Sequence, residues 1–228
     1  LTIMADTRLA LSEIRGLLND LMDKLCSDSW REWFYALERF LRKENPWGDV
    51  LPDLDWGKTY EELGAPFDPS ILPPVDPTQW HIPVLPGVTS NKVVEALRRL
   101  DVKVSLYVED LDANVPVNDR VPQEKPYVVS VRRRVEAYEE NKNLSANYLK
   151  EQKILGITLP GRLLLELAYY LTTGQHLDVE CWTLCSGSRD SDGNVPDVRW
   201  SSNDRKVYVD WDHPDSRYAS MRARTVRQ

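Results

Sequence analysis

The sequence predicts an α+β protein whose helices pack on a small, irregular antiparallel sheet, and three observations carry that prediction. The first forty-odd residues and the stretch from about 144 to 174 repeat apolar positions at helical spacing. Two middle stretches, "VKVSLYVED" and "YVVSVRRRVEAYEE", read as strands, the first with the period-two alternation of a half-buried one. After Gly174 come four short strand-like runs cut by turn residues: "DVECWTLC", "PDVRWSS", "KVYVDWDH" and "MRARTVRQ".

Taken in order, "RLALSEIRGLLNDLMDKL" places Leu9, Leu11, Ile14, Leu17, Leu18, Leu21, Met22 and Leu25 near one stripe. Ser27, Asp28 and Ser29 offer caps for a second helix, "WREWFYALERFLRKE". Asn45–Pro46 stops it, because proline lacks an amide hydrogen and disfavours helix in the residue before it. Residues 46–86 hold nine prolines and read as an extended connector. Trp47, Trp56, Tyr60, Phe67 and Trp80 anchor that segment on a folded surface.

"SNKVVEALRRLD" reads as a helix capped by Ser90. "NLSANYLKEQKILGITLPGRLLLELAYYLTTG" carries two helices. The second begins near Thr158, with Pro160 in its first turn, and stops at Gly174. These readings divide the chain into a helical segment (1–45), the proline-rich connector (46–86) and a domain from 87 to 228.

Composition narrows the function. The chain has 228 residues, 42% hydrophobic, 29% charged, with a net charge of −7. That disfavours a nucleic-acid partner, which calls for a basic face. The clusters Arg132–Arg133–Arg134 and Arg222, Arg224, Arg227 read as solvated or ion-paired strand residues. No run of about 18 apolar residues predicts a membrane span. The opening "LTIMADTRLA" lacks a secretory signal pattern, and Met4 is a candidate start, so the default expectation is a cytoplasmic monomer. Three cysteines, Cys26, Cys181 and Cys185, are too few for a disulfide scaffold.

Catalytic patterns are missing. Cys181 and Cys185 lie four apart and could face the same way along a strand, as a copper or redox pair would. Read as small buried hydrophobes beside Trp182 and Leu184 they need no chemistry. His176 with two cysteines at irregular spacing is not a zinc pattern. "WDHPD" around His213 and "DSDGN" from Asp190 to Asn194 read as turns. No phosphate-binding glycine loop, nucleophile elbow or H-E-x-x-H is found, so neither an enzyme nor a cofactor is expected.

The last hairpins instead carry a binding surface. Alternation sends Val207, Val209 and Trp211 to one face and Tyr208, Asp210 and Asp212 to the other. Tyrosine with small polar residues is the mixture of a paratope: rigid amphipathic area plus adaptable hydrogen-bonding groups.

These residues carry a resemblance. "ITLPGRLLLELAYYLTTGQHLDVECWTLCSGSRDSDGNVPDVRW", followed by "VDW…PD…RARTV", resembles the variable proteins of diversity-generating retroelements, and the N-terminal "WFYALERFLRKENPW" is similar to a leader shared by many of them. The resemblance implies a C-type-lectin fold of the formylglycine-generating-enzyme type over residues 87–228, a variable region at about 186–226, and a ligand, most simply a protein, bound without catalysis. In such systems a reverse transcriptase copies a template repeat, corrupts it at adenines, and the copy replaces the 3′ end of the gene.

Adenine changes in Asn codons of the AAY type never produce Lys, Glu, Gln, Met or Trp. The positions then expected to vary are Asp190, Asp197, Arg199, Ser201, Ser202, Asn203, Asp204, Tyr208, Asp210, Asp212, His213, Ser216, Tyr218, Ala219 and Ser220, each reachable or still Asn. Trp200, Lys206, Trp211 and Met221 are not reachable and belong to a framework with Trp182, Leu184, Val207 and Val209. Two rivals remain. One is a fixed structural or assembly protein of a virus or episome. The other is a formylglycine-generating-type oxidase, whose copper-binding cysteine pair lies later in the fold than Cys181 and Cys185.

Overall fold

A computed structural model describes residues 11–28, 30–41, 51–122 and 125–227. The chain divides into two compact units, 1–50 and 51–228. In the first, α1 (Leu11–Leu25) and α2 (Trp30–Leu41) pack on each other, as the apolar spacing predicts. The candidate start at Met4, the cap at Ser29, the stop at Asn45–Pro46 and Trp47 lie outside the described residues.

The second unit begins well before residue 87. From Leu51 onward the proline-rich stretch is part of it. It forms α3 (Trp56–Glu62), a 3-10 turn at Pro69–Ile71 and β1 (Gln79–Val84). Trp56, Tyr60 and Trp80 are buried in the main core. The Tyr60 hydroxyl donates to the Pro83 carbonyl at 2.6 Å, and the Trp80 indole donates to Pro52 at 2.9 Å. Trp56, Tyr60, Phe67 and Trp80 do anchor this segment, but as part of the core rather than as a connector. Prolines exclude helix interiors while leaving turns and edge strands open.

Next come α4 (Ser90–Arg99), β2 (Val104–Leu106), α5 (Leu111–Asn114), β3 (Val117–Asn118) and β4 (Tyr127–Arg132). Thr89, rather than Ser90, caps α4; its hydroxyl accepts from the Lys92 amide, while the Ser90 amide is taken by Asp112. Then follow α6 (Ala146–Glu151) and α7 (Leu159–Thr173). The α7 ends match expectation: Thr158 caps it, and Gly174 ends it in a left-handed conformation (φ 69°) that disfavours a side chain. The remaining strands are β5 (Trp182–Leu184), β6 (Ser188–Arg189), β7 (Val195–Ser201), β8 (Lys206–Asp212) and β9 (Met221–Ala223).

Among the described residues the architecture is mixed α+β with three small sheets. β1 and β4 pair antiparallel, and the tail joins them, since Ser130 and Arg227 exchange backbone hydrogen bonds. β3 pairs with β6. The largest sheet has the order β2-β8-β7-β5-β9. The expected antiparallel sheet is only partly so: β2 runs parallel to β8 and β5 parallel to β9. Parallel neighbours need long crossovers, and local turn signals in sequence cannot announce partners so far apart.

One face of this sheet, here the inner face, meets α7. That helix is buried nearly all round, through Leu159, Leu163, Leu164, Leu165, Leu167 and Ala168. Val198, Val207 and Val209 share its core. On the outer face a smaller cluster joins Leu184, Val195, Met221 and Ala223 to Ala146 and Leu149 of α6. α6 therefore covers one end of the outer face, and the rest of β7 and β8 carries the expected variable positions.

Candidate ligand-binding face

The register of the β7–β8 hairpin assembles the site. Asp197 stands opposite Asp210, Arg199 opposite Tyr208, and Ser201 opposite Lys206. Directly paired residues project to the same face, so alternate positions of both strands share the outer side. Val198 and Val209, paired one step over, are buried on the inner side. The predicted split of β8 thus holds for Val207 and Val209 against Tyr208, Asp210 and Asp212.

Along the outer face the Arg199 guanidinium lies 4.9 Å from the ring centroids of both Trp182 and Tyr208, a cation held between two aromatic faces. Tyr218, from the loop between β8 and β9, comes back over this face to within 6.1 Å of Trp182. The Tyr208 hydroxyl donates to Asp204 Oδ2 at 3.0 Å, and the Ser201 hydroxyl donates to the same oxygen at 2.8 Å. The Ser201 and Tyr208 hydrogen bonds hold the Asp204 carboxyl below its ordinary range, and the Asp204 contact raises the Tyr208 hydroxyl in turn. Ser202 and Asn203 are exposed in the same turn.

His213, Ser216, Tyr218, Ala219 and Ser220 lie in the loop after β8. It is tied to α6: the Asn147 amide donates to the Pro214 carbonyl at 3.0 Å and the Asn147 side chain to Asp215 Oδ1 at 2.7 Å. His213 is exposed beside Asp215. Ser220 takes part through its carbonyl, which accepts from the Trp182 amide at 2.8 Å.

Four residues depart from the sequence reading. Asp190 is only 6% exposed, and its carboxylate accepts from the amides of Asp192 and Asn194 and the Asn194 side chain, closing the turn at Gly193 (φ 88°). It is turn scaffold, because an Asp that caps its own turn is spoken for by local amides. Asp197 is on the outer face yet only 3% exposed. Trp211, expected in the buried framework, is 46% exposed, since alternation decides which face a residue takes and not how far the covering layer extends. Trp182, also assigned to the buried framework, is a half-buried outer-face ring against Arg199 and Tyr218. Trp200 does face inward, stacked on His176 with centroids 3.5 Å apart.

The inner face hides an ionic network that the sequence reading did not foresee. Arg162 bonds Glu166 Oε2 at 2.9 Å and Asp178 Oδ2 at 2.8 Å; Arg224 bonds Asp178 Oδ1 at 2.7 Å. All four side chains are fully buried. Burial pushes the Asp178 carboxyl up, but Arg224 and Arg162 prevail and hold it below its usual range. The His176 ring, between Tyr170 and Trp200, completes the network with Glu166 Oε1 at 2.8 Å. A visible signal existed: Arg162 and Glu166 stand four apart in an otherwise apolar helix. Of the predicted basic clusters, Arg132 also pairs with Glu140, Arg133 with Asp53, and Arg222 with Glu139.

Cys181 and Cys185 are free and buried, and burial raises both thiols. Glu136, Asp178 and Cys181 lie close enough to hold a metal. Their carboxylates are already engaged, however: Glu136 accepts the amides of Val179, Glu180 and Cys181, and Asp178 both arginines. Among the described residues no helix is long and apolar enough to cross a membrane. Comparison with protein-family models, with curated proteins and with solved structures returns no match.

Proposed function

We propose that this chain is a ligand-binding protein of the kind diversified by retroelements, with a C-type-lectin-like unit presenting the outer face of β7, β8 and the loop after them. One observation supports this reading above others. Arg199, Ser201, Ser202, Asn203, Asp204, Tyr208, Asp210, Asp212, His213, Tyr218 and Ala219 are all at least partly exposed along one hairpin and its adjoining loop, while Val198, Val207 and Val209 between them are buried. A surface so mounted can change its side chains with little effect on the fold, since surface substitutions usually stay within about 0.5 kcal/mol. Asp190 leaves the proposed set, being turn scaffold.

Sequencing this gene across many cells of one population tests the proposal. Expected are replacements at the outer-face and loop positions, constancy at Trp200, Lys206, Trp211 and Met221, and a reverse transcriptase gene beside an imperfect copy of the 3′ end. Uniform sequence, or scattered third-base changes, would support a fixed assembly subunit instead.

A further inference from the structure

Asp197 is only 3% exposed, and its carboxylate takes no hydrogen bond from any described residue, so its partner on this face is solvent at most. Buried polar groups are nearly always satisfied, so a carboxylate without a protein donor calls for an explanation. The residue opposite it in register is another acid, Asp210, and Asp212 follows on the same face of β8. Asp212 has one oxygen, Oδ2, out of solvent and without a hydrogen bond, while its carboxylate accepts from the Tyr218 hydroxyl. Two carboxylates directly across a strand pair repel when both are ionised, which favours a proton on the buried one.

The cation that could have relieved this cluster is two residues away and does something else. Arg199 makes no ion pair with any described residue; its guanidinium stays between the Trp182 and Tyr208 rings. We infer that Asp197, Asp210 and Asp212 form a receptor for a cationic nitrogen group, an arginine or lysine side chain of a partner protein, with Asp197 as its floor. This rests on the outer face being the ligand-binding face. Trp182, Tyr208 and Tyr218 give the receptor an aromatic border, which suits a planar, weakly hydrated organic cation. Arg199 shows that this surface already accepts a guanidinium beside its rings.

Electrostatics agrees with the geometry. Burial first, then Asp212 and Asp210, push the Asp197 carboxyl up to about 8, while Arg199 opposes the rise. The other titratable groups near it are Tyr107 after β2, Cys185 after β5 and Tyr218 beside Asp212. Near neutral pH Asp197 holds a proton that an arriving cation displaces. Binding therefore releases a proton and strengthens as pH rises towards 8.

The test uses the full chain and Nα-acetyl-arginine amide, with the neutral Nα-acetyl-citrulline amide and calcium chloride as controls. Titration is followed by the Trp182 indole N–H signal and by calorimetry in two buffers of different ionisation heat. Expected are saturable arginine-amide binding on the order of millimolar, at least about tenfold weaker binding of the citrulline amide, and proton release near pH 7. Asp197→Asn and the exposed Asp210→Asn should each weaken binding by about tenfold or more. Unchanged folding of Asp210→Asn, seen in its tryptophan spectrum, keeps the result interpretable if Asp197→Asn misfolds. Equal binding of both amides, no binding of either, indifference to both substitutions, or calcium displacing the arginine amide would each overturn the inference. Population sequencing judges the diversified-binder reading separately: variation at 210 and 212 without arginine-amide binding would leave that reading standing and remove this one.

Discussion

The inner and outer faces of the β7–β8 hairpin are built from alternate residues of the same strands, yet they follow opposite rules. Inside, Val198, Val207 and Val209 lie against α7, and even the charges, Arg162, Glu166, Asp178 and Arg224, are locked to one another without solvent. Outside, side chains interact with near neighbours only: Arg199 with two rings, Asp204 with Ser201 and Tyr208. A substitution inside disturbs several elements at once. A substitution outside disturbs one or two contacts, so its effect on the fold should stay local.

That contrast can be broken most severely from within. Asp178→Ala leaves two fully buried guanidinium groups without their common partner, and should destabilise the chain by about 3–5 kcal/mol in a denaturant titration. If the loss were below about 1 kcal/mol, the network would not be what holds the inner face.

Asp197 sharpens the comparison, because it is the outer-face residue that behaves like an inner one. Its folded pKa of about 8 lies above the unfolded value near 4, so between those pH values the folded chain keeps a proton that the unfolded chain has released. Stability therefore falls as pH rises through that window, by about 1.4 kcal/mol per pH unit from this group. Asp197→Asn removes that contribution. Its stability relative to the parent should rise from pH 4 to pH 8 and level off above, which melting curves at several pH values would show; parallel curves would refute the assignment.

Thr158→Ala, which removes the cap of α7 below the inner face, should cost about 1 kcal/mol by the same denaturant method. The smallest effects belong outside: Ser202→Asp and Ala219→Tyr should each stay within about 0.5 kcal/mol. A larger loss at either would show that the outer surface is less exchangeable than proposed.

Much of this was legible in the chain itself. The two N-terminal helices, the Thr158 cap and Gly174 stop of α7, and the alternation of β8 are local patterns, settled by neighbours three or four residues away at most. The burial of residues 51–86 was half legible, since the aromatics announced anchoring but not that they would enter the main core. Trp182 was misplaced because its face depends on pairing with β7 and β9, which lie in later sequence.

Sequence by itself determined the local elements, the acidic balance and the polar-aromatic character of the last hairpins, because capping, periodicity and composition act over short distances. Tertiary structure alone decided that β2 would join β8 and β5 join β9 in parallel, that Asp178 would meet Arg162 and Arg224, and that Asp197 would be buried opposite Asp210. Those outcomes depend on which distant segments share a face. Only the packed chain, with its register and covering layers in place, sets the burial that turns an ordinary aspartate into an unpaired one.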